Sequence, residues 1–292
     1  MKVLVTGASG LLGSDICHSA SLRNFEIVKV ASSPNPGFLQ ADLASPEGID
    51  RIASADWDAI VHAAAWRSPE ACDKDPEGAY ALNARATGLL AGIAAKRNAK
   101  FLYISTDYVF PGDGGAPYAE DAPTRPINTY GKTKLAGEHE AFAVNASAAV
   151  LRIPFLYGWR AGLKRCALLT SALDAINTPG HKGVDASIVR YPTCTADVAE
   201  AAMLILEKSS TGVHHFTGQD KSSRYDIAVT VAELLGRDPG SIVRLDEPPS
   251  KDSNRPKDSH LSMNRLRELG CPFPPPFRSR MKECLQGLGL LS

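Results

Sequence analysis

An α/β fold, a doubly wound parallel sheet carrying a smaller mixed α/β lobe, is what the sequence predicts, and three observations predict it. Short runs rich in Val and Ile alternate with longer amphipathic stretches through the first half of the chain. A glycine-spaced turn links the first of these runs to the first helical pattern. After about Gly158 the rhythm gives way to basic loops and Pro-rich segments. With 292 residues the chain is long enough for one large domain and a smaller one.

The elements read in order as follows. KVLVT is a strand, LLGSDICHSASL a helix, EIVKVA a strand, and a further helix lies near Pro46 to Ala53. DAIVHAAA is the next strand, followed by a helix from Glu77 to Lys96, the strand FLYIST, a helix from Asn128 to Val144 and the strand AAVLRIP. Runs such as AIVHAAA and KFLYIS are apolar throughout, which suits strands covered on both faces. Beyond Gly158 come WRAGLKRC, TPGHKG, EPPSKDSNRPKD and CPFPPPF, the last read as a rigid connector. Helices are expected there near Ala196 to Lys208, Tyr225 to Leu235 and Arg278 to Leu285, with a strand at GVHHFTG.

Thirty-two basic residues balance thirty-two acidic ones with no block of like charge, which points away from nucleic acid and membrane surfaces and toward a small-molecule partner. The six cysteines show no CxxC pair and no His cluster at ligand spacing, so they read as reduced, mostly buried thiols, and no metal is expected. No signal-peptide core and no span of membrane length is evident, so a cytoplasmic protein is expected. His214 and His215 would point to opposite sides of their strand, and His62 is expected to pack beneath the glycine loop.

The strand KVLVT runs straight into GASGLLG, which sets Gly7, Gly10 and Gly13 before a helix. Glycines allow close backbone approach to a pyrophosphate, and free amides at a helix start receive its charge. That context makes a Rossmann-type dinucleotide site the leading reading, over a glycine turn that merely reverses the chain. The expected division is therefore 1–157 for the dinucleotide-binding domain and 158–292 mainly for a substrate-binding lobe, with about 191–217 returning to the Rossmann core. An NAD-selective site usually places a carboxylate at the end of the second strand, about 20 residues on. Here VKVASSP offers Ser32 and Ser33, whose hydroxyls could bond a 2'-phosphate, so NADP(H) is favoured and NAD(H) stays open. Asp42, with Leu43, could accept the adenine amino group or simply cap a turn.

RPINTYGKTKLAGE sets Tyr130 and Lys134 four residues apart, on one helical face, while Lys132 points elsewhere. A free phenol titrates near pH ~10, and a neighbouring ammonium favours phenolate, so the pair is expected to be a tuned acid. STDYVF puts Ser105 and Thr106 at the carboxyl end of a central strand, where α/β sheets collect ligands. Trp66 and Arg67 could reach a substrate's base or phosphate, or form a solvated rim. Arg255 could contact a nucleotide phosphate or sit in a surface ion pair.

Taken together, GASGLLG, HAAA, STDYVF, RPINTYGKTKLAGE, LRIPFLYG, RYPTCTADVA and RPKDSHLSMNRLRELG resemble the extended short-chain dehydrogenase/reductases over nearly the whole chain. Within that family they are most similar to the dTDP-4-dehydrorhamnose reductases and the homologous regulatory β subunit of methionine adenosyltransferase. The resemblance implies that Tyr130 is the proton donor, that Lys134 lowers its pKa and bonds the nicotinamide ribose, and that Thr106, with Asp107, orients the substrate. It also implies cofactor contacts from Gly7, Ser9, Gly10, Leu11, Leu12, Ala63, Ala64, Ala65, Tyr130, Lys134 and Ile153, and a structural role for Asn83 in the site. Related dehydratases carry an Asp-Glu pair after the threonine, but here Tyr108 follows Asp107, and related epimerases usually carry serine where Thr106 stands. The expectation is an NADP(H)-linked reductase of a 4-keto-6-deoxy sugar nucleotide or similar activated ketone. The alternative is a non-catalytic NADP-binding regulatory subunit, toward which LRIPFLYG and RYPT lean, although the chain ends at LQGLGLLS without the aromatic, basic tail of those subunits. Oligomeric state is open, a homodimer being one option.

Overall fold

The computed structural model describes residues 1–247 and 254–292, so part of the EPPSKDSN stretch lies outside the described residues. The elements in chain order are β1 (Lys2–Thr6), α1 (Leu11–Leu22), β2 (Glu26–Ala31), β3 (Leu39–Gln40), α2 (Pro46–Ser54), β4 (Ala59–His62), α3 (Pro69–Lys74), α4 (Pro76–Tyr80), α5 (Ala86–Lys96), β5 (Lys100–Thr106), α6 (Thr129–Val144) and β6 (Ala149–Ile153). Then follow β7 (Leu156–Tyr157), α7 (Ala167–Asn177), β8 (Val184–Asp185), β9 (Thr193–Cys194), α8 (Thr195–Glu207), β10 (Gly212–His215), α9 (Arg224–Leu234), β11 (Arg244–Leu245), α10 (Asn264–Glu268) and α11 (Phe277–Gly287).

Seven strands form one sheet in the order β10-β6-β5-β4-β1-β2-β3, every pair parallel. Because side chains alternate along a strand, each run that reads as apolar throughout feeds two cores. Val3, Val5, Val61, Leu102, Ile104 and Leu151 pack beneath α1 and α8, whereas Leu4, Ile60, Phe101, Tyr103 and Val150 pack beneath α2, α5 and α6. This is the doubly wound Rossmann architecture expected from the sequence. A third core gathers Tyr157, Leu169, Val231, Met281 and Leu285 from β7, α7, α9 and α11. The chain returns to the sheet at β10, which pairs with β6.

Helix starts follow local chemistry. Ser45, Ser68, Asp75, Asn128 and Ser223 each accept a backbone N–H near the start of α2, α3, α4, α6 and α9, and Ser223 with Asp226 completes a capping box. One expected helix differs in detail. Glu77 to Lys96 is α4 and α5 joined through a π turn, Ala81–Arg85. All six cysteines are buried and unpaired. Among the described residues no helix is long and apolar enough to cross a membrane.

Candidate active site

The site assembles at the carboxyl ends of β1, β4 and β5. Gly7 follows β1 with φ +65, and a Cβ there would lie 2.9 Å from the Ala64 amide nitrogen. A Cβ on Gly13 would come within 2.1 Å of the Gly7 carbonyl oxygen. Glycine is thus required for the loop to fold against both the first turn of α1 and the Ala63–Ala64 backbone. No side chain caps the start of α1, so its first amides stay open to an anion beside Ser9, Gly10, Leu11 and Leu12. These features fit a pyrophosphate. Ala65 and Ala63 stay partly exposed, and Ile153 ends β6 as a buried core residue.

Thr6 ties this loop to the floor. Its Oγ1 accepts from the Ala63 and Ala64 amides, both at 3.1 Å, and lies 2.8 Å from His62 Nδ1. A hydroxyl that already accepts twice must donate to the ring, so the imidazole carries its proton on Nε2. His62 is fully buried, as expected beneath the loop, and burial together with the Lys134 charge lowers its pKa to about 3. Ser32 and Ser33 are exposed beyond β2. Asp42 caps the turn before α2, accepting the Ala44 amide at 3.0 Å, beside buried Leu43.

Tyr130 enters on the first turn of α6. Gly131 lets that turn close, since a Cβ there would lie 2.3 Å from the Tyr108 carbonyl oxygen. The Tyr130 ring meets Tyr108 edge-on with centroids 5.8 Å apart. Thr106 is buried, donates to Asp107 Oδ1 at 3.1 Å and accepts the Tyr108 amide at 3.2 Å. Asp107 is held also by the Ser259 hydroxyl. Burial raises its carboxyl to about 6, with Ser259, Arg190 and Thr106 opposing.

Lys134 is 1 % exposed, donates to the Ile104 carbonyl at 2.7 Å and lies 3.9 Å from the Tyr103 ring centroid. Here the electrostatic expectation needs correction. Burial pushes the Tyr130 phenol up, offset in part by the Thr106 hydroxyl, and the Lys134 charge is not what governs it. The lysine itself falls to about 7, because desolvation of its ammonium outweighs the attraction of Glu138.

Asn83, in the π turn, clamps the loop after β4. Its Oδ1 accepts the Trp66 amide at 2.8 Å, and its Nδ2 donates to the Trp66 carbonyl at 2.9 Å and to Thr133 at 3.1 Å. Trp66 is thereby half-buried, and Arg67 is exposed. Arg255 is ion-paired with Glu70.

The structure also brings in residues that the motifs did not flag. Arg190 and Arg224 join Arg255 around the Tyr108 phenol, which burial raises and these guanidinium groups lower. Arg224 is itself lowered by burial and by the charges of Arg255 and Arg190. Glu138 meets Arg152 in a buried ion pair. The GE that closes the Tyr130 motif was the available signal for Glu138, and RYPT, which Arg190 opens, was the signal for Arg190; Arg224 stands in a stretch with none. Among the described residues no group of His, Cys, Asp and Glu is placed to hold a metal ion.

Residues 1–289 match the RmlD substrate binding domain family. Methionine adenosyltransferase 2 subunit beta from Mus musculus is 35% identical over 292 residues, spanning 97% of this chain and 87% of that protein. The probable low-salt glycan biosynthesis reductase Agl14 of Haloferax volcanii is 30% identical, spanning 94% of each chain. The crystal structure of a dTDP-4-dehydrorhamnose reductase from Clostridium acetobutylicum superposes with a TM-score of 0.85 at 26% identity, covering 99% of this chain and 100% of that one. Glycine loop, Thr106, Tyr130 and Lys134 thus stand within a full-length match, and the chain belongs to the RmlD substrate binding domain family of the extended short-chain dehydrogenase/reductases.

Proposed function

We propose that this protein is an NADP(H)-dependent reductase of a 4-keto-6-deoxy sugar nucleotide or a similar activated ketone. The observation that supports the reading is a buried Thr106 at the end of β5, with Tyr130 and Lys134 one turn apart at the start of α6, beside a glycine loop that only glycine can build. A dihydronicotinamide bound along that loop would supply the hydride. Tyr130 would donate its proton to the ketone oxygen; a phenol kept protonated by burial is suited to that role. Thr106 would turn its hydroxyl from Asp107 toward the same oxygen. The Lys134 ammonium, with one donor spent on Ile104, has two left for a ribose. The exposed serines after β2 leave NADP(H) preferred, with no carboxylate to repel a 2'-phosphate.

Arg190, Arg224 and Arg255 support a phosphorylated substrate, since mutually repelling guanidinium groups are relieved by a dianion. Trp66 and Arg67 would border the nucleotide. The 35% identity to a methionine adenosyltransferase β subunit favours a second reading, a non-catalytic NADP-binding subunit of such an enzyme. Incubation with NADPH and a panel of 4-keto sugar nucleotides, followed at the nicotinamide absorbance, separates the two. Oxidation that disappears in Tyr130→Phe upholds the reductase. Tight NADPH binding without turnover, together with co-elution with an adenosyltransferase catalytic chain, upholds the subunit.

A further inference from the structure

We propose that Glu138 is the positioning residue of Lys134: seated by Ser105 and Arg152, its carboxylate holds the lysine as an ammonium ion inside a closed pocket. The proposal rests on the reading of Lys134 as the lysine that faces the cofactor.

The geometry is a two-rung ladder. Lys134 and Glu138 lie one turn apart on α6, both almost wholly buried. Beneath them, Tyr103 and Ser105 share a face of β5 because side chains alternate along a strand. Lys134 rests on the Tyr103 ring, and Glu138 rests on Ser105, whose hydroxyl donates to its Oε1 at 2.5 Å. Arg152 stands opposite Ser105 in the β5–β6 register. Its Nε reaches Glu138 Oε1 at 3.0 Å and Oε2 at 3.2 Å, and its Nη2 reaches Oε2 at 2.6 Å. Its Nη1 turns away, toward the Glu120 carbonyl at 3.4 Å and His215 Nε2 at 3.3 Å. The carboxylate is therefore fixed by Ser105 and Arg152, one helical turn from Lys134.

The surroundings of Lys134 leave Glu138 as the one source of negative charge among the described residues that act on it at neutral pH. From β4 comes His62, neutral because burial lowers it to about 3. From α3 comes Cys72, a thiol that burial raises to about 11. Tyr103 on β5 and Tyr130 on α6 are both pushed up by burial and stay protonated. Arg152 stands behind Glu138 as a cation. Glu138 is accordingly the largest force holding Lys134 up against desolvation.

The test is an NMR titration of the apo-protein labelled with 13C and 15N in lysine, the Lys134 side-chain signal being assigned by its loss in Lys134→Met. In Glu138→Gln the lysine midpoint should move to lower pH, whereas in Arg152→Lys, which keeps the carboxylate paired, it should stay near the parent value. If Glu138→Gln does not fold, the double variant Glu138→Leu/Arg152→Met removes both charges together and should show a smaller downward movement, because the repulsion by the more distant Arg152 is lost as well. An unmoved midpoint in a folded variant lacking Glu138 overturns the proposal. NADPH affinity measured against pH supplies the second readout: in the parent it should weaken as pH rises through the lysine midpoint, and in Glu138→Gln the weakening should begin at lower pH. A midpoint that moves while the NADPH profile does not would uphold the Glu138 link and overturn the cofactor-facing reading of Lys134.

Discussion

At the scale of single residues, the function turns on protons held where water cannot level them. Tyr130→Phe keeps the ring and its edge-on contact with Tyr108 but removes the proton to be given. Turnover of a 4-keto sugar nucleotide should fall at least about 100-fold, with NADPH affinity unchanged in a fluorescence titration. Lys134→Met should behave in the opposite sense for stability. The lysine is depressed from 10.5 to about 7, so between those values the unfolded chain binds more protons and stability rises with pH. Burial of the ammonium costs most at and below pH 7. Melting of the apo-protein should show Lys134→Met to be the more stable form there, by roughly 2–4 kcal/mol, with the advantage shrinking toward pH 10. The four-residue spacing of Tyr130 and Lys134 was legible in the sequence. The direction in which the phenol shifts was not, because it depends on how much protein surrounds the ring, and a helical repeat carries no record of that.

Among the elements, the glycine loop and the π turn do the positioning. Gly13→Ala would drive a methyl group into the Gly7 carbonyl, a backbone atom that cannot swing aside. Loss of roughly 1–3 kcal/mol in a denaturant melt is expected, together with loss of NADPH binding. Both glycines were evident from their place between a strand and a helix. The π turn was not, since ALNAR is an ordinary helical string, and its irregularity arises from tertiary contacts. The widened turn lets the Asn83 carbonyl accept from Tyr103 at 2.7 Å and from Thr87 at 2.9 Å while its side chain spans Trp66. Asn83→Ala should release the Trp66 loop, raising KM for the sugar nucleotide with little change in NADPH affinity in steady-state and binding assays.

Over the whole molecule, the arginine group joins distant parts of the chain: Arg190 precedes β9, Arg224 opens α9 and Arg255 precedes α10. Arg224→Met should raise KM for a nucleotide diphospho-sugar about tenfold or more, and leave a non-phosphorylated ketone unaffected. Motif reading reaches Arg190 and Arg255, which open RYPT and RPKDS, but not Arg224, and the fold alone brings the three together. The parallel sheet itself was readable, since apolar strands alternating with amphipathic helices admit few other arrangements.

The placement of β10 carries a practical consequence. Because this strand covers β6, a fragment ending near residue 157 would keep its glycine loop and Tyr130 yet bare the backbone of Ala149–Ile153 along an open border. Unpaired amides and carbonyls beside apolar side chains recruit further copies, so the amino-terminal half expressed alone should precipitate or form inclusion bodies.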